Sequence, residues 1–177
     1  MGVDEKSLPE RSLRGVDLLI LVVLGTHELP FTRLVQEVER CKEKNVIQED
    51  VIVQHGHTKY ASDSLTLRPF VSYDEMHDLY DRARFIITHA GTGSVITGLR
   101  KGKKVIAAPR LKLYGEHNDD HQLELATEFA KEGYVLSWYD GEALEDAIRK
   151  IDTFKPKPFR SNKKRMFQLI EDFIDEA

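Results

Sequence analysis

Leu18-Leu19-Ile20-Leu21-Val22-Val23-Leu24-Gly25-Thr26-His27 decides the fold. Seven consecutive apolar residues without polar alternation mark a strand covered on both faces, and the glycine and threonine after them end it. The pattern then repeats outward. Leu34, Val35 and Val38 recur at helical spacing from Pro30 to about Lys44. Residues 51–54 read as a second strand ending at Gly56, and 65–67 as a short third before Pro69. A helix is expected over 73–82, N-capped by Ser72 with Glu75 completing a capping box. A strand over 85–88, a helix from about 94 to 101 and a strand over 105–108, stopped by Pro109, follow. A helix from about 119 to 131 closes at Gly133, a short strand covers 134–137, and helices over 142–151 and roughly 162–174 end the chain. Strands alternating with helices imply right-handed crossovers and an α/β, doubly wound parallel sheet with helices on both faces. Ligands of such sheets bind beyond the carboxyl ends of the strands, which selects the loops 25–30, 54–59, 89–94 and 109–121.

Composition bounds the rest. A chain of 177 residues, 41% hydrophobic, holds one core and is short for two ordinary domains. Residues 1–16 are polar and aperiodic and read as a flexible lead-in, with the domain over 17–177. The 26 basic against 30 acidic residues give a net charge of −4, which speaks against a dedicated nucleic-acid binder. Cys41 is the single cysteine, so neither an internal disulfide framework nor a Cys-rich zinc site is available, and a reducing, cytoplasmic setting fits. The longest apolar run falls far short of the roughly 20 residues that span a bilayer, and the N-terminus lacks the pattern of a signal peptide. Work at a membrane would need another tether.

The sharpest motif is Thr88-His89-Ala90-Gly91-Thr92-Gly93-Ser94, joining a strand to a helix. Glycines let backbone N–H groups approach a ligand, the helix N-terminus favours an anion, and Thr92 and Ser94 add hydroxyls. Local sequence leaves two readings open: a diphosphate cradle, or a tight turn with an N-cap. The dinucleotide fingerprint belongs to the first β-α unit, and no Gly-Lys-Ser/Thr of a Walker loop occurs. A second motif, Tyr114-Gly115-Glu116-His117-Asn118-Asp119-Asp120-His121-Gln122, opens a helix. His117 and His121 are four apart, as in a metal pair, but the His-Glu-x-x-His order of zinc hydrolases is absent. Asp119 and Asp120 fit an N-terminal cap, and the dense donors and acceptors also suit sugar hydroxyls. His27, and equally His55 and His57, read as a general acid or base or as structural; Arg110 reads as an anion partner or a solvated ion pair. Arg100, Lys101, Lys103 and Lys104 sit where a helix C-terminus favours cations. Lys155, Lys157, Arg160, Lys163, Lys164 and Arg165 suit plain solvation or anionic lipid headgroups. Cys41 reads as a packing residue.

The motifs together are more specific than any one. Gly25-Thr26-His27 with Pro30-Phe31-x-Arg33-Leu34-Val35, then Ile87 to Ser94, Pro109-Arg110 and Gly115-Glu116-His117-x-Asp119-Asp120-His121-Gln122, occur in that order. Over roughly residues 17–174 the chain resembles the carboxy-terminal domain of glycosyltransferase family 28. Within it, the chain is similar to stand-alone subunits of capsular and exopolysaccharide synthesis, related to the dolichol-linked GlcNAc transferase catalytic subunit. The resemblance implies a Rossmann-like domain equivalent to the C-terminal half of a GT-B glycosyltransferase. It also implies a UDP-sugar donor, a lipid-linked saccharide acceptor and inverting, metal-independent chemistry without a cofactor. A separate membrane-anchored subunit would bind the acceptor and hold this chain at the inner face of the membrane.

Carried over by residue, Thr26, Gly91, Thr92, Gly93 and Ser94 would contact the diphosphate and His89 would flank it. Phe70 and Val71 would lie near the uracil, and Glu116, His121 and Gln122 would face the donor sugar or ribose. Thr97 stands where the peptidoglycan GlcNAc transferase has an acidic ribose ligand, so ribose recognition would pass to Glu116. The general base is implied in the acceptor-binding half, with His27 the fallback in this chain. Arg110 near the sugar would favour a uronic acid carboxylate, while glucuronic acid, galactose, glucose and N-acetylglucosamine donors all occur in relatives. Two rival classes are a non-catalytic nucleotide-sugar-binding or regulatory module, and an epimerase-like enzyme. The latter needs an early glycine fingerprint and a Tyr-x-x-x-Lys pair, both absent.

Overall fold

In the computed structural model, which describes residues 18–159, the opening apolar run forms β1 (Leu19–Val23), every residue of it buried. The expected lead-in over 1–16 and the helix over 162–174 lie outside the described residues. The other strands are β2 (Asp50–Gln54), β3 (Thr66–Arg68), β4 (Ala83–Thr88), β5 (Lys104–Ala107) and β6 (Leu136–Ser137). They form one sheet in the order β3-β2-β1-β4-β5-β6, and every pairing is parallel. The order reverses between β1 and β4, the point where ligands of such sheets bind.

Side chains alternate along β1, so the sheet carries a core on each face. Ile20, Val22 and Leu24 pack with Leu34, Val35 and Val38 of α1 (Thr32–Glu43) and Leu144 and Ile148 of α5 (Leu144–Ile151). Leu19, Leu21 and Val23 pack with Leu79 of α2 (Tyr73–Arg82), Val95 of α3 (Thr92–Arg100) and Ala126 of α4 (His121–Lys131). Each fully buried Leu, Ile or Val contributes roughly 1.5–3 kcal/mol, so one charge placed in β1 would offset several such contacts. Cys41 sits in the first core, where burial raises its thiol to about 11 and leaves it a packing residue.

Helix starts differ from expectation where they matter. Ser72 caps α2, its Oγ accepting the Glu75 N–H at 3.2 Å. Helix α3 begins at Thr92, so the glycine motif forms its first turn rather than preceding it. Helix α4 begins at His121, not Asp119, because the aspartates serve the loop before it. Asp119 Oδ1 accepts the His121 N–H, and Asp120 Oδ1 accepts the Lys112 N–H, each at 3.0 Å. An unanticipated 3-10 turn, Lys112–Tyr114, ends at Gly115. The lysines after α3 close helix ends, Lys103 donating to the Asp81 and Ala83 carbonyls and Lys104 to those of Ile151 and Asp152. No helix of the described residues is long and apolar enough to cross a membrane.

Candidate functional site

A cavity of about 350 Å³ opens at the carboxyl ends of β1 and β4. It brings together eight residues that the sequence had marked on three loops: Thr26, Phe70, Val71, His89, Gly91, Thr92, Gly93 and Ser94. The topology explains this, since β1 and β4 are neighbours and their following loops meet. The floor is the start of α3. Its first intrahelical bond runs from the Val95 N–H to the Gly91 carbonyl, and Gly91 at the N-cap has no side chain to offer. The amides of Thr92, Gly93 and Ser94 therefore precede the helical ladder without a side-chain cap, at the positive end of the helix dipole. The motif is a tight turn with Gly91 at the N-cap position and no side-chain cap. The Tyr80 hydroxyl donates to the Ser94 carbonyl at 3.1 Å and ties α2 to this turn. Thr97 Oγ1 donates to the Gly93 carbonyl at 2.7 Å, so this hydroxyl is engaged within the helix.

The His89 ring explains both flanking glycines. A Cβ on Gly91 would lie 2.2 Å from His89 Nε2, and one on Gly25 would lie 2.7 Å from Cε1. Gly25 also has φ +75, a left-handed conformation that a side chain would strain. His89 Nδ1 lies 3.1 Å from the Val23 carbonyl and donates to it, leaving Nε2 as an acceptor. Burial holds the ring neutral, with its pKa pulled down to about 4. Gln54, which opens the selected 54–59 loop but was given no site role, and Met76, which sequence reasoning missed, also line the cavity. Gln54 Nε2 donates to the carbonyls of Gly25 and Pro69, both at 3.0 Å, and its Oε1 accepts the Gly25 N–H at 3.2 Å. It thus braces the loop after β1 against the loop carrying Phe70. A single amide at the end of an apolar strand was the available signal. Phe70 is 53% exposed and meets the His57 ring edge-on at 5.3 Å.

His27, Arg110, Glu116, His121 and Gln122 do not line this cavity, and the structure gives several of them partners within the chain. Arg110 is fully buried, and its guanidinium donates to the carbonyls of Leu29 (2.7 Å), Glu116 (3.1 Å) and Leu24 (2.9 Å). Burial lowers its pKa to about 10, so it stays a cation at neutral pH; its two terminal nitrogens bond backbone carbonyls and its buried Nε has no hydrogen-bond partner. Glu116, 3% exposed, receives two bonds from Arg33 at 2.9 and 2.8 Å and the Leu111 N–H at 3.0 Å. Its carboxylate holds the loop between β5 and α4 to α1. Arg33 in turn lies 4.6 Å from the Trp138 ring centre. Gln122 Oε1 accepts the Arg110 N–H at 3.2 Å, and His121 is exposed at the start of α4.

His27 is also engaged at one ring nitrogen. Its Nδ1 accepts the Leu29 N–H at 3.1 Å, so the neutral ring carries its proton on Nε2 and presents a donor, not a base. Burial first, then neighbouring His117 and Arg110, push its pKa below the ordinary range. His117 lies in the loop before α4, so it shares no helical face with His121. Among the described residues no three His, Cys, Asp or Glu side chains group as metal ligands.

Comparison with known proteins gives a concordant result. The model of the glycosyltransferase family 28 C-terminal domain matches residues 19–176. The UDP-N-acetylglucosamine transferase subunit ALG13 of Yarrowia lipolytica is 29% identical over 138 residues, 72% of this chain and 68% of that one. Coverage of the Cryptococcus neoformans protein of that name is 50% of its length. An NMR solution structure of ALG13 superposes with a TM-score of 0.58 at 23% identity, over 87% of this chain and 94% of that one. The crystal structure of the glycosyltransferase of kitacinnamycin aligns with a TM-score of 0.54 at 18% identity, over 85% of this chain and 38% of that one. Such structural likeness establishes the fold, an α/β Rossmann-like domain.

Proposed function

The chain belongs to the glycosyltransferase family 28 C-terminal domain family, and from that membership we propose that it is the donor-binding subunit of an inverting, UDP-sugar-dependent glycosyltransferase. The observation that carries the reading is the uncapped start of α3, whose amides open into a cavity ringed by the residues of three loops. The diphosphate lies against the amides of Thr92, Gly93 and Ser94, with the hydroxyls of Thr26, Thr92 and Ser94 around it. Donors preorganised in this way stabilise the negative charge that builds on UDP as it leaves. The helix terminus supplies the electrostatic stabilisation of the leaving diphosphate, so the transfer is read as independent of metal and cofactor. The uracil lies near Phe70 and Val71, met by their backbone groups, and His89 backs the phosphates as a neutral ring.

The relatives' printed names make UDP-N-acetylglucosamine the first donor to test, ahead of another hexose or a hexuronic acid donor. The burial of Arg110 removes the argument for a uronic acid. The acceptor is read as a lipid-linked saccharide of exopolysaccharide or capsule synthesis, presented by a membrane-anchored subunit that holds this chain at the cytoplasmic face. Co-expression with the neighbouring reading frame, followed by a UDP-sugar screen, tests the whole assignment. Transfer that needs both chains is the expected result. A pair that binds UDP and transfers nothing would instead make this chain a non-catalytic nucleotide-sugar-binding module.

A further inference from the structure

In the sheet order β2 lies between β3 and β1. Residues 54–56, at its carboxyl end, therefore run between the loop after β1, which bears Thr26, and the loop after β3, which bears Phe70 and Val71. Gln54 is 4% exposed and lines the cavity, and its one side-chain amide serves both loops. Nε2 donates one hydrogen to the Gly25 carbonyl and the other to the Pro69 carbonyl, each at 3.0 Å, while Oε1 accepts the Gly25 N–H at 3.2 Å. Backbone bonds run the same two ways. On one side the Leu24 N–H donates to the Gln54 carbonyl at 2.9 Å. On the other, the N–H groups of His55 and Gly56 donate to the carbonyls of Arg68 and Pro69 at 2.9 and 2.8 Å. Gly56 sits at the closest approach. A Cβ there would lie 2.5 Å from the Gly25 carbonyl oxygen, on a residue whose φ of +56 already strains any side chain.

We propose that Gln54 and Gly56 are positioning residues that fix the span between the two ends of the cavity, so that one nucleoside diphosphate engages both ends at once. The proposal rests on the donor-site reading, with the diphosphate at Thr26 and the α3 amides and the base at Phe70 and Val71. A base and a diphosphate joined through one ribose have a limited reach. Where the protein's span matches it, binding of the first end makes binding of the second intramolecular, and the joined ligand binds far more tightly than either part. Where the span is wrong, each part keeps its own contacts and only the advantage of joining them is lost. The amide of Gln54 suits this task because both of its hydrogens already go to backbone, one to each loop. The start of α3 is tied separately, through the bond from the Tyr80 hydroxyl to the Ser94 carbonyl. Loosening residues 54–56 therefore shifts the base-bearing loop against the phosphate end without dismantling either.

Titration of the intact chain with three probes, UDP, uridine and inorganic pyrophosphate, tests this by NMR. Gln54→Met keeps the size of the side chain and removes both donors; Gly56→Ala wedges a methyl group against the Gly25 carbonyl. In each folded variant the affinity for UDP should fall roughly 10–100-fold, while those for uridine and pyrophosphate stay within about threefold of wild type. A general loss of structure would weaken all three probes alike. A folded Gln54→Met chain that binds UDP within about threefold of wild type overturns the proposal. So does an equal loss for UDP and one of its parts, which would confine these residues to a single end of the cavity. A further measurement needs no variant. In the wild-type chain without ligand, the Gln54 side-chain amide and the N–H groups of Gly25 and Gly56 should be protected from hydrogen exchange together with the backbone of β2. Exchange of these groups at the rate of free amides overturns the proposal whichever variants fold. Failure of the wild-type chain to bind UDP would instead sink the donor-site reading beneath it.

Discussion

Gly91 and His89 make the tightest residue-scale constraint in the site. The clash of a Gly91 Cβ with His89 Nε2, at 2.2 Å, cannot relax easily because the ring is pinned by its bond to the Val23 carbonyl. Gly91→Ala should therefore cost about 1–3 kcal/mol in denaturant unfolding, and His89→Ala in the same chain should recover part of that cost. Non-additivity is the signature; strictly additive losses would mean that the ring is not the obstacle. His89 also sets a pH dependence. Its folded pKa is about 4 against 6.5 unfolded, so the unfolded chain binds the proton more readily. The neutral ring's contribution is complete above pH 6.5 and drains away as pH falls from 6.5 towards 4, by up to about 3 kcal/mol. His89→Gln should lose distinctly less stability over that window in urea titrations at each pH. At this scale the sequence was legible where backbone chemistry was at stake. Gly91, Gly93 and Ser94 form the strand-to-helix turn that their glycines indicate, and they line the cavity. For Arg110, Glu116 and His27 it gave no view of their partners, because residue type in a loop does not disclose which distant carbonyl, guanidinium or amide will occupy the side chain.

At the scale of elements, the loop between β5 and α4 is held by charge rather than by apolar burial. Arg33 reaches from α1 to bind Glu116 and the Pro109 carbonyl, while Arg110 reaches back to Leu24 and Leu29. Removing one member of such a pair leaves the other unbalanced. Glu116→Gln should destabilise the fold by roughly 2–4 kcal/mol, somewhat under a fully buried pair because the Arg33 side chain is 20% exposed. UDP affinity of the folded fraction should change little, since Glu116 is outside the cavity; calorimetry beside a urea melt separates the two effects. A loss of UDP binding with stability intact would restore Glu116 as a ligand contact. Element types were readable from apolar period and turn chemistry, and Ser72 capped α2 as its spacing indicated. The starts of α3 and α4 were not. Their first turns are decided by what the neighbouring loop's donors and acceptors require, as Asp119 and Asp120 show.

At the scale of the molecule, a parallel sheet of order 3-2-1-4-5-6 places the loops after β1 and β4 side by side, and the cavity follows from that placement. The alternation of apolar strand and amphipathic helix made this architecture legible from Leu18 onward, since few topologies bury such strands on both faces. The cavity was legible only in part, because Gln54 and Met76 enter it through strand and helix geometry that no local motif records. The central claim is that this cavity holds a uridine diphosphate. An NMR-monitored titration of the isolated chain with UDP tests it most directly. The account predicts saturable shifts of the Gly25, Thr26, Phe70 and Thr92–Ser94 amides, with Arg33 and Glu116 unmoved. Saturation that shifts other surfaces, or no shift at all in a folded chain, would contradict it.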